Sequence, residues 1–345
     1  MNIKMPDRED QQAVDQAMAC LKADPERTDP LLMKHLEDGL HQRRKGFDSG
    51  AVQNTYLKDF DIPQIVLFDI LANRFPLVVE AQQIVSRALL HHSGNSRQVC
   101  IIDLGIGRGV QILKLLDQLN EKRTATRVTV IGIELIGEAL YFCGQRIKEA
   151  SERWNFSLDF HPVHLPLEEI NPANIQSLIP VENPFVFVNA SLSLHHLQKG
   201  GERDLLFRKV SGWKPGLFTL IEPNASTFTD DYLQRLPNAC EHFSALYHYT
   251  NTLPLKEEEK RGLKNFFSND FFDPVALPDS HRFEKLERGE QWIERASKSG
   301  LKTLTLDPFC NELRIDHITI EGAPKAYINF KYRDTDLLSI MAFTK

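Results

Sequence analysis

The sequence predicts an α/β protein: a doubly wound, mainly parallel sheet with helices on both faces, joined to a helical cap. Three observations carry this. Residues 99–104 are apolar apart from Asp103, turn on Gly105, Gly107 and Gly109, and run on into Val110, Leu113 and Leu116 at helical spacing. From 98 to 222, strand-like runs alternate with helix-like segments, the signature of a parallel sheet. Helical segments precede that alternation at 8–92, and an aromatic-rich stretch interrupts the chain at 226–280. Residues 1–95 thus read as N-terminal helices forming part of a cap. Residues 96–345 read as the core, with 226–280 an inserted cap segment.

Taken in order, 8–45 gives two amphipathic helices separated near Asp24-Pro25 and Asp29-Pro30. Val14, Ala17, Met18 and Leu21 mark one apolar face, and Leu31, Leu32, His35, Leu36 and Leu40 the other. Residues 46–60 have no clear period. Segments 63–75 and 76–92 each open on a proline, which suits a first helical turn. Strands are expected at 99–103, 127–134, 156–163, 185–189 and 217–222, with helices between them at 110–119, 138–153, 168–178 and 202–210. After the insertion come a charged helix at 283–299, stopped by Gly300, a strand at 301–306, and an antiparallel pair at 326–330 and 337–343.

At 345 residues the chain can bury a substantial core. Its net charge of −6 and the lack of a long basic stripe make nucleic acid an unexpected partner. The densest basic cluster, from His41 to Lys45, reads as the solvated end of a helix. Five scattered cysteines without C-x-x-C pairs argue for a reducing, cytoplasmic setting. No signal core or membrane-span length is present, so no membrane is expected.

The glycine turn is the chemical focus. A dinucleotide fingerprint wants a third small residue at the place of Val110, and Asp103 would repel a pyrophosphate. A phosphate-cradling G-x-x-x-x-G-K-[ST] loop is absent. An acidic residue followed by x-G-x-G-x-G resembles instead the first motif of class I S-adenosylmethionine-dependent methyltransferases, whose cofactor carries a sulfonium and no phosphate. The alternative is an ordinary strand-to-helix turn. Glu134 ends the second strand, where a carboxylate can accept from both ribose hydroxyls or simply favour a helix N-terminus. With Asp103, Gly105, Gly107, Gly109 and Glu134, Asn189 at the end of the fourth strand completes the candidate cofactor set. His195 or His196 could take a proton from an acceptor, and Glu222 could orient substrate or join a polar network. Tyr247 and His248 are candidate substrate residues of the insertion. His161 and His164 lack further ligands in register, no zinc spacing is found, and no metal site is expected.

Together these stretches resemble the GRAS family. Residues 99–103 are similar to its VHIID motif. Residues 160–163 with 167–170 resemble its F-x-P-V and L-E-D-L stretch, and 188–197 its V-N-S…L-H-H-L run. Residues 239–247 are similar to E-A-x-x-Y-Y-S-A-L-F, and 287–295 with Gly300-Leu301 to E-R…W…R…G-F. The resemblance implies a Rossmann-like class I methyltransferase core with a mainly parallel seven-stranded sheet, plus an α-helical cap. Plant members are transcriptional regulators and protein-interaction hubs, usually with a degraded glycine turn. Bacterial members have been viewed as small-molecule methyltransferases. The intact glycines resemble the bacterial type, while the C-terminal segment lacks the family's S-A-W. Two functions follow from the resemblance: methyl transfer from S-adenosylmethionine to a small molecule, or a regulatory, protein-interaction role through the cap without catalysis.

Overall fold

The computed structural model describes residues 8–23, 28–45, 62 and 64–345. The Asp24-Pro25 break, the aperiodic 46–60 stretch and Pro63 lie outside the described residues. The strands are β1 (Gln98–Leu104), β2 (Arg127–Glu134), β3 (Ser157–His164), β4 (Phe185–Ser191), β5 (Leu217–Pro223), β6 (Lys302–Thr303), β7 (Ile318–Glu321), β8 (Ile328–Tyr332) and β9 (Thr335–Thr344). They form one sheet in the order β3-β2-β1-β4-β5-β9-β8-β7, with β6 also on β9. Pairing is parallel from β3 to β5 and antiparallel beyond.

The sheet has nine strands among the described residues, against the seven expected. The apolar run at 301–306 contributes only a two-residue strand, because Leu306 leads directly into a 3₁₀ turn at Asp307–Phe309. β7 carries no apolar run and owes its conformation to pairing with β8.

β1 shows why the pattern was readable. Val99 and Ile101 point into one apolar cluster, and Cys100, Ile102 and Leu104 into another on the opposite face. That two-residue alternation, with both sides apolar, is what a parallel strand covered by helices requires.

The helices are α1 (Arg8–Ala23), α2 (Pro30–Lys45), α3 (Gln64–Arg74), α4 (Pro76–His92), α5 (Val110–Lys122), α6 (Gly137–Ser151), α7 (Pro172–Leu178), α8 (Gly200–Gly212), α9 (Tyr232–Thr252), α10 (Glu257–Ala276) and α11 (Gly289–Lys298). α1 packs along α9, and α2 along α10, so the first two helices and the inserted segment form one helical layer. Lys264 pairs with Asp29 at 2.7 Å across it. α4 instead packs on α5 and β5, with the sheet.

The expected charged helix at 283–299 is shorter than its sequence suggests. Only Gly289–Lys298 is helical. The preceding residues run extended, because Lys285 N–H donates to the His195 carbonyl and Thr227 and Phe228 donate to that of Leu286. Arg282, Glu284, Lys285 and Glu287 are buried there.

Candidate functional site

The glycine turn is anchored on β2: the N–H groups of Gly105 and Ile106 both donate to the Ile133 carbonyl. Its three glycines have φ of +91°, +55° and +79°, a region L side chains rarely adopt. Their surroundings differ. A β-carbon on Gly105 would lie 2.7 Å from Ser193 Cβ, and one on Gly109 2.7 Å from Cys143 Sγ. A β-carbon on Gly107 meets nothing within 4 Å. Packing therefore demands glycine at 105 and 109, while 107 faces open space.

Glu134 ties this turn to the loop after β2. Its Oε2 accepts from Gly107 N–H and its Oε1 from Ile136 N–H, both at 2.9 Å. Each oxygen keeps a further lone pair.

Beneath the turn a polar chain crosses the sheet. Asp103, Asn189 and Thr219 are register neighbours on β1, β4 and β5. Thr219 Oγ1 donates to Asn189 Oδ1 at 3.1 Å, and Asn189 Nδ2 donates to Asp103 Oδ1 at 3.2 Å. Burial, eased by the Asn189 bond and reinforced by Glu134, pushes the Asp103 carboxyl up to about 7. Asn189, fully buried, thus sits inside this chain rather than on the open side of the turn. Its parity on β4, paired to Asp103, is the reason.

The exits of β4 and β5 hold a second cluster. Glu222 is fully buried. Its Oε1 accepts from Ser193 and Leu194 N–H at 3.1 and 2.7 Å, and its Oε2 pairs with His195 Nδ1 at 2.6 Å. The two histidine rings lie 4.1 Å apart. His196 Nδ1 stands 2.9 Å from Glu284 Oε2, and His195 Nε2 stands 3.6 Å from it. Burial disfavours the His196 cation, but Glu284, with Asp270 and Glu222 behind it, outweighs burial and lifts the ring to about 9. Burial alone would raise Glu284; His196, His195 and Arg282 hold it below the usual carboxylate range. Burial and the charge of Glu284 push Asp270 well above that range. Paired with Glu284, His196 is the poorer proton acceptor of the two, whereas His195, its Nδ1 held by Glu222, presents Nε2.

The structure separates the two expected substrate residues. Tyr247 is buried inside the helical layer, its hydroxyl donating to the Lys264 carbonyl at 2.6 Å and lying 3.0 Å from His35 Nδ1. His248 points elsewhere, its Nδ1 2.6 Å from Tyr332 Oη, on an open depression of about 540 Å³ shared with His317 and Arg333. Neighbours on a helix are about 100° apart, so the two could not share one wall. Glu284 and Asp270 were not anticipated. Glu284 hides in a run of charges whose burial no local pattern reveals, and only the adjacent E-R pair of the family likeness, Glu287-Arg288, marks the segment.

Among the described residues no helix is long and apolar enough to cross a membrane. The crystal structure of SCL7 from Oryza sativa superposes with a TM-score of 0.77 at 18% identity, covering 98% of this chain and 100% of that one. DszA carbon methyltransferase superposes with a TM-score of 0.50 at 13% identity, covering 98% of this chain and 69% of that one. These likenesses show the fold: a methyltransferase-like α/β sheet with additional helices. In sequence, the chain is 25% identical over 258 residues to Chitin-inducible gibberellin-responsive protein 1 of Oryza sativa subsp. japonica, covering 71% of this chain and 45% of that protein. It is 24% identical over 297 residues to Scarecrow-like protein 34 of Arabidopsis thaliana, covering 80% and 47%. The chain thus spans less than half the length of these two plant relatives. A profile of the GRAS domain family matches residues 17–314, which takes in the glycine turn, the His195–Glu222 pair and Glu284 together. The chain belongs to the GRAS domain family.

Proposed function

We propose that this GRAS protein binds S-adenosylmethionine against residues 105–109, with Glu134 towards the ribose, and transfers the methyl group to a small molecule. The observation that carries the reading is the open space beside Gly107, bordered by a carboxylate. The residues fit such a cofactor: a nucleoside needs a close backbone approach and an acceptor for its hydroxyls, and no phosphate has to sit near Asp103. Bound, the cofactor supplies an electrophilic methyl group on a sulfonium. Burial disfavours the Asp103 anion, and a nearby sulfonium offsets that cost. On the acceptor side, His195 is oriented through Nδ1 by Glu222 and takes the acceptor proton at Nε2. The intact glycines support a bacterial-type activity, and the free cysteines support a cytoplasmic setting. The acceptor is a small molecule, not nucleic acid or membrane.

A second reading has its own support. The SCL7 structure superposes on the chain more closely than the methyltransferase does, and the curated relatives are Scarecrow-like and gibberellin-responsive plant proteins. Under that reading the chain is a regulatory protein without catalysis, working through a partner on its helical cap.

Calorimetric titration of the full chain with S-adenosylmethionine and its demethylated product tests the first reading. A Glu134 contact to two hydroxyls is worth about 1.5–3 kcal/mol per charge-assisted bond, so Glu134→Ala weakens binding at least tenfold in a folded chain. No binding by the wild type gives the regulatory reading. Binding without transfer from labelled cofactor to a small-molecule extract leaves a ligand-binding regulator.

A further inference from the structure

We infer that His195 Nε2, His196 Nδ1 and Glu284 Oε2 form a binding site for one divalent transition-metal ion of the zinc(II) class. The site does not depend on the cofactor reading, and an ion on His195 Nε2 would replace the proton-accepting role proposed for that atom above. These three donor atoms lie within 4.8 Å of one another. Two of the separations are 2.9 and 3.6 Å, against about 3.3 Å between ligands of a tetrahedral zinc ion at ~2.0–2.2 Å. The third separation, between the two rings, lies within 4.8 Å, and His196, the most exposed of the three side chains, moves to close it.

Three further features are those of a built site. His195 is oriented from behind: Glu222 holds Nδ1 at 2.6 Å and is itself fixed by the N–H groups of Ser193 and Leu194. A carboxylate behind a histidine sets the tautomer that turns the Nε2 lone pair outward, as metal-ligating histidines require. Glu284 Oε2 is buried and faces both rings, 2.9 Å from His196 Nδ1 and 3.6 Å from His195 Nε2. The Glu284 backbone is clamped, its N–H on Asp273 Oδ2 at 3.0 Å and its carbonyl accepting from Arg282 Nη2 at 2.7 Å. Charge also balances: the ion displaces the His196 proton, and with two neutral imidazoles its two positive charges offset the buried carboxylates of Glu222 and Glu284. Burial and ligand count then separate this site from a closed structural one. The side chains of His195 and Glu284 are 6% and 4% exposed, but that of His196 is 35% exposed. Three protein ligands leave a fourth position open to a small molecule, the arrangement of catalytic rather than structural zinc. An oxygen donor fits that position. If the methyl-transfer reading holds, the donor belongs to the acceptor, because Ser193, two residues away, packs against Gly105.

The test is a titration of the chelator-treated, full-length chain with cobalt(II), read by its visible d–d absorption, followed by displacement with zinc(II). Neither step needs cofactor or turnover. The wild type is expected to take up one ion per chain, saturably. Glu284→Gln and His196→Gln should each weaken uptake at least tenfold with the far-ultraviolet circular dichroism unchanged. Glu222→Gln should weaken it by about 10–100-fold. His196 is the most exposed ligand, so its variant remains informative if Glu284→Gln fails to fold. A His91→Ala/His92→Ala double variant controls for the other adjacent pair, whose rings lie 5.1 Å apart, and should retain full uptake. Absence of saturable uptake by the folded wild type overturns the site. So does uptake that survives His196→Gln or disappears with the His91/His92 pair.

Discussion

Replacing each turn glycine by alanine in turn separates packing from ligand binding. At Gly107 the added methyl meets nothing within 4 Å, so only the left-handed backbone is penalised, by about 1–2 kcal/mol. At Gly105 and Gly109 the same backbone term applies, and the methyl also stands 2.7 Å from Ser193 Cβ or Cys143 Sγ. Overpacking adds about 1–3 kcal/mol, for a total of about 2–5 kcal/mol. Urea unfolding should therefore rank Gly107→Ala as the mildest of the three. Calorimetry with the demethylated cofactor should rank it the opposite way for its effect beyond stability, since its methyl enters the open space. A folded Gly107→Ala chain with wild-type affinity refutes the cofactor cradle. A Gly107→Ala chain as unstable as Gly105→Ala refutes the open space itself.

Other outcomes follow from the buried network. Arg203 is fully buried, donates to the carbonyls of Leu197, His195 and Lys285, and lies 2.9 Å from Glu287. Arg203→Met should lose about 3–5 kcal/mol by urea unfolding; a loss under 1 kcal/mol would contradict the network. Tyr247→Phe leaves the Lys264 carbonyl and His35 without that hydroxyl, at about 1–3 kcal/mol. Ligand affinity should not change, and a fall in turnover at unchanged stability would return Tyr247 to the acceptor side. Burial depresses His242 to about 4, although its bond to the Asp336 carbonyl opposes this. Its folded value lies below the ordinary one near 6.5, so its contribution is whole above pH ~6.5 and is lost as pH falls towards 4. The loss approaches about 3 kcal/mol, and subtracting the stability curve of His242→Asn isolates it from other titrations such as that of Asp103. A flat difference between the two curves over that range would show that His242 is not buried neutral.

Period and turn chemistry are local properties, and what they determine was legible in the sequence. β1 alternates between two apolar faces, so its residues declare a parallel strand covered on both sides. Gly105, Gly107 and Gly109 declare a turn with positive φ, and β2, β4, β5, β8 and β9 emerge near their expected positions. Asp103, Glu134, His195 and Glu222 could be named as site candidates because a doubly wound sheet brings its strand ends together.

What a charged or polar side chain meets is not local, and there the tertiary structure decided. Only packing distinguishes open Gly107 from crowded Gly105 and Gly109. Strand pairing turned Asn189 into the neighbour of Asp103 and Thr219. Glu284, Lys285 and Glu287 look like part of a solvated helix, yet they are buried in a non-helical segment, because backbone groups at His195, Thr227 and Phe228 and the Asp273 carboxylate on α10 receive it. The same folding carries Glu284, 88 residues further along the chain, to within 2.9 Å of His196. Desolvating such a charge is costly unless a partner compensates. That partner lies far away in sequence, so no window of local sequence contains the reason Glu284 is buried.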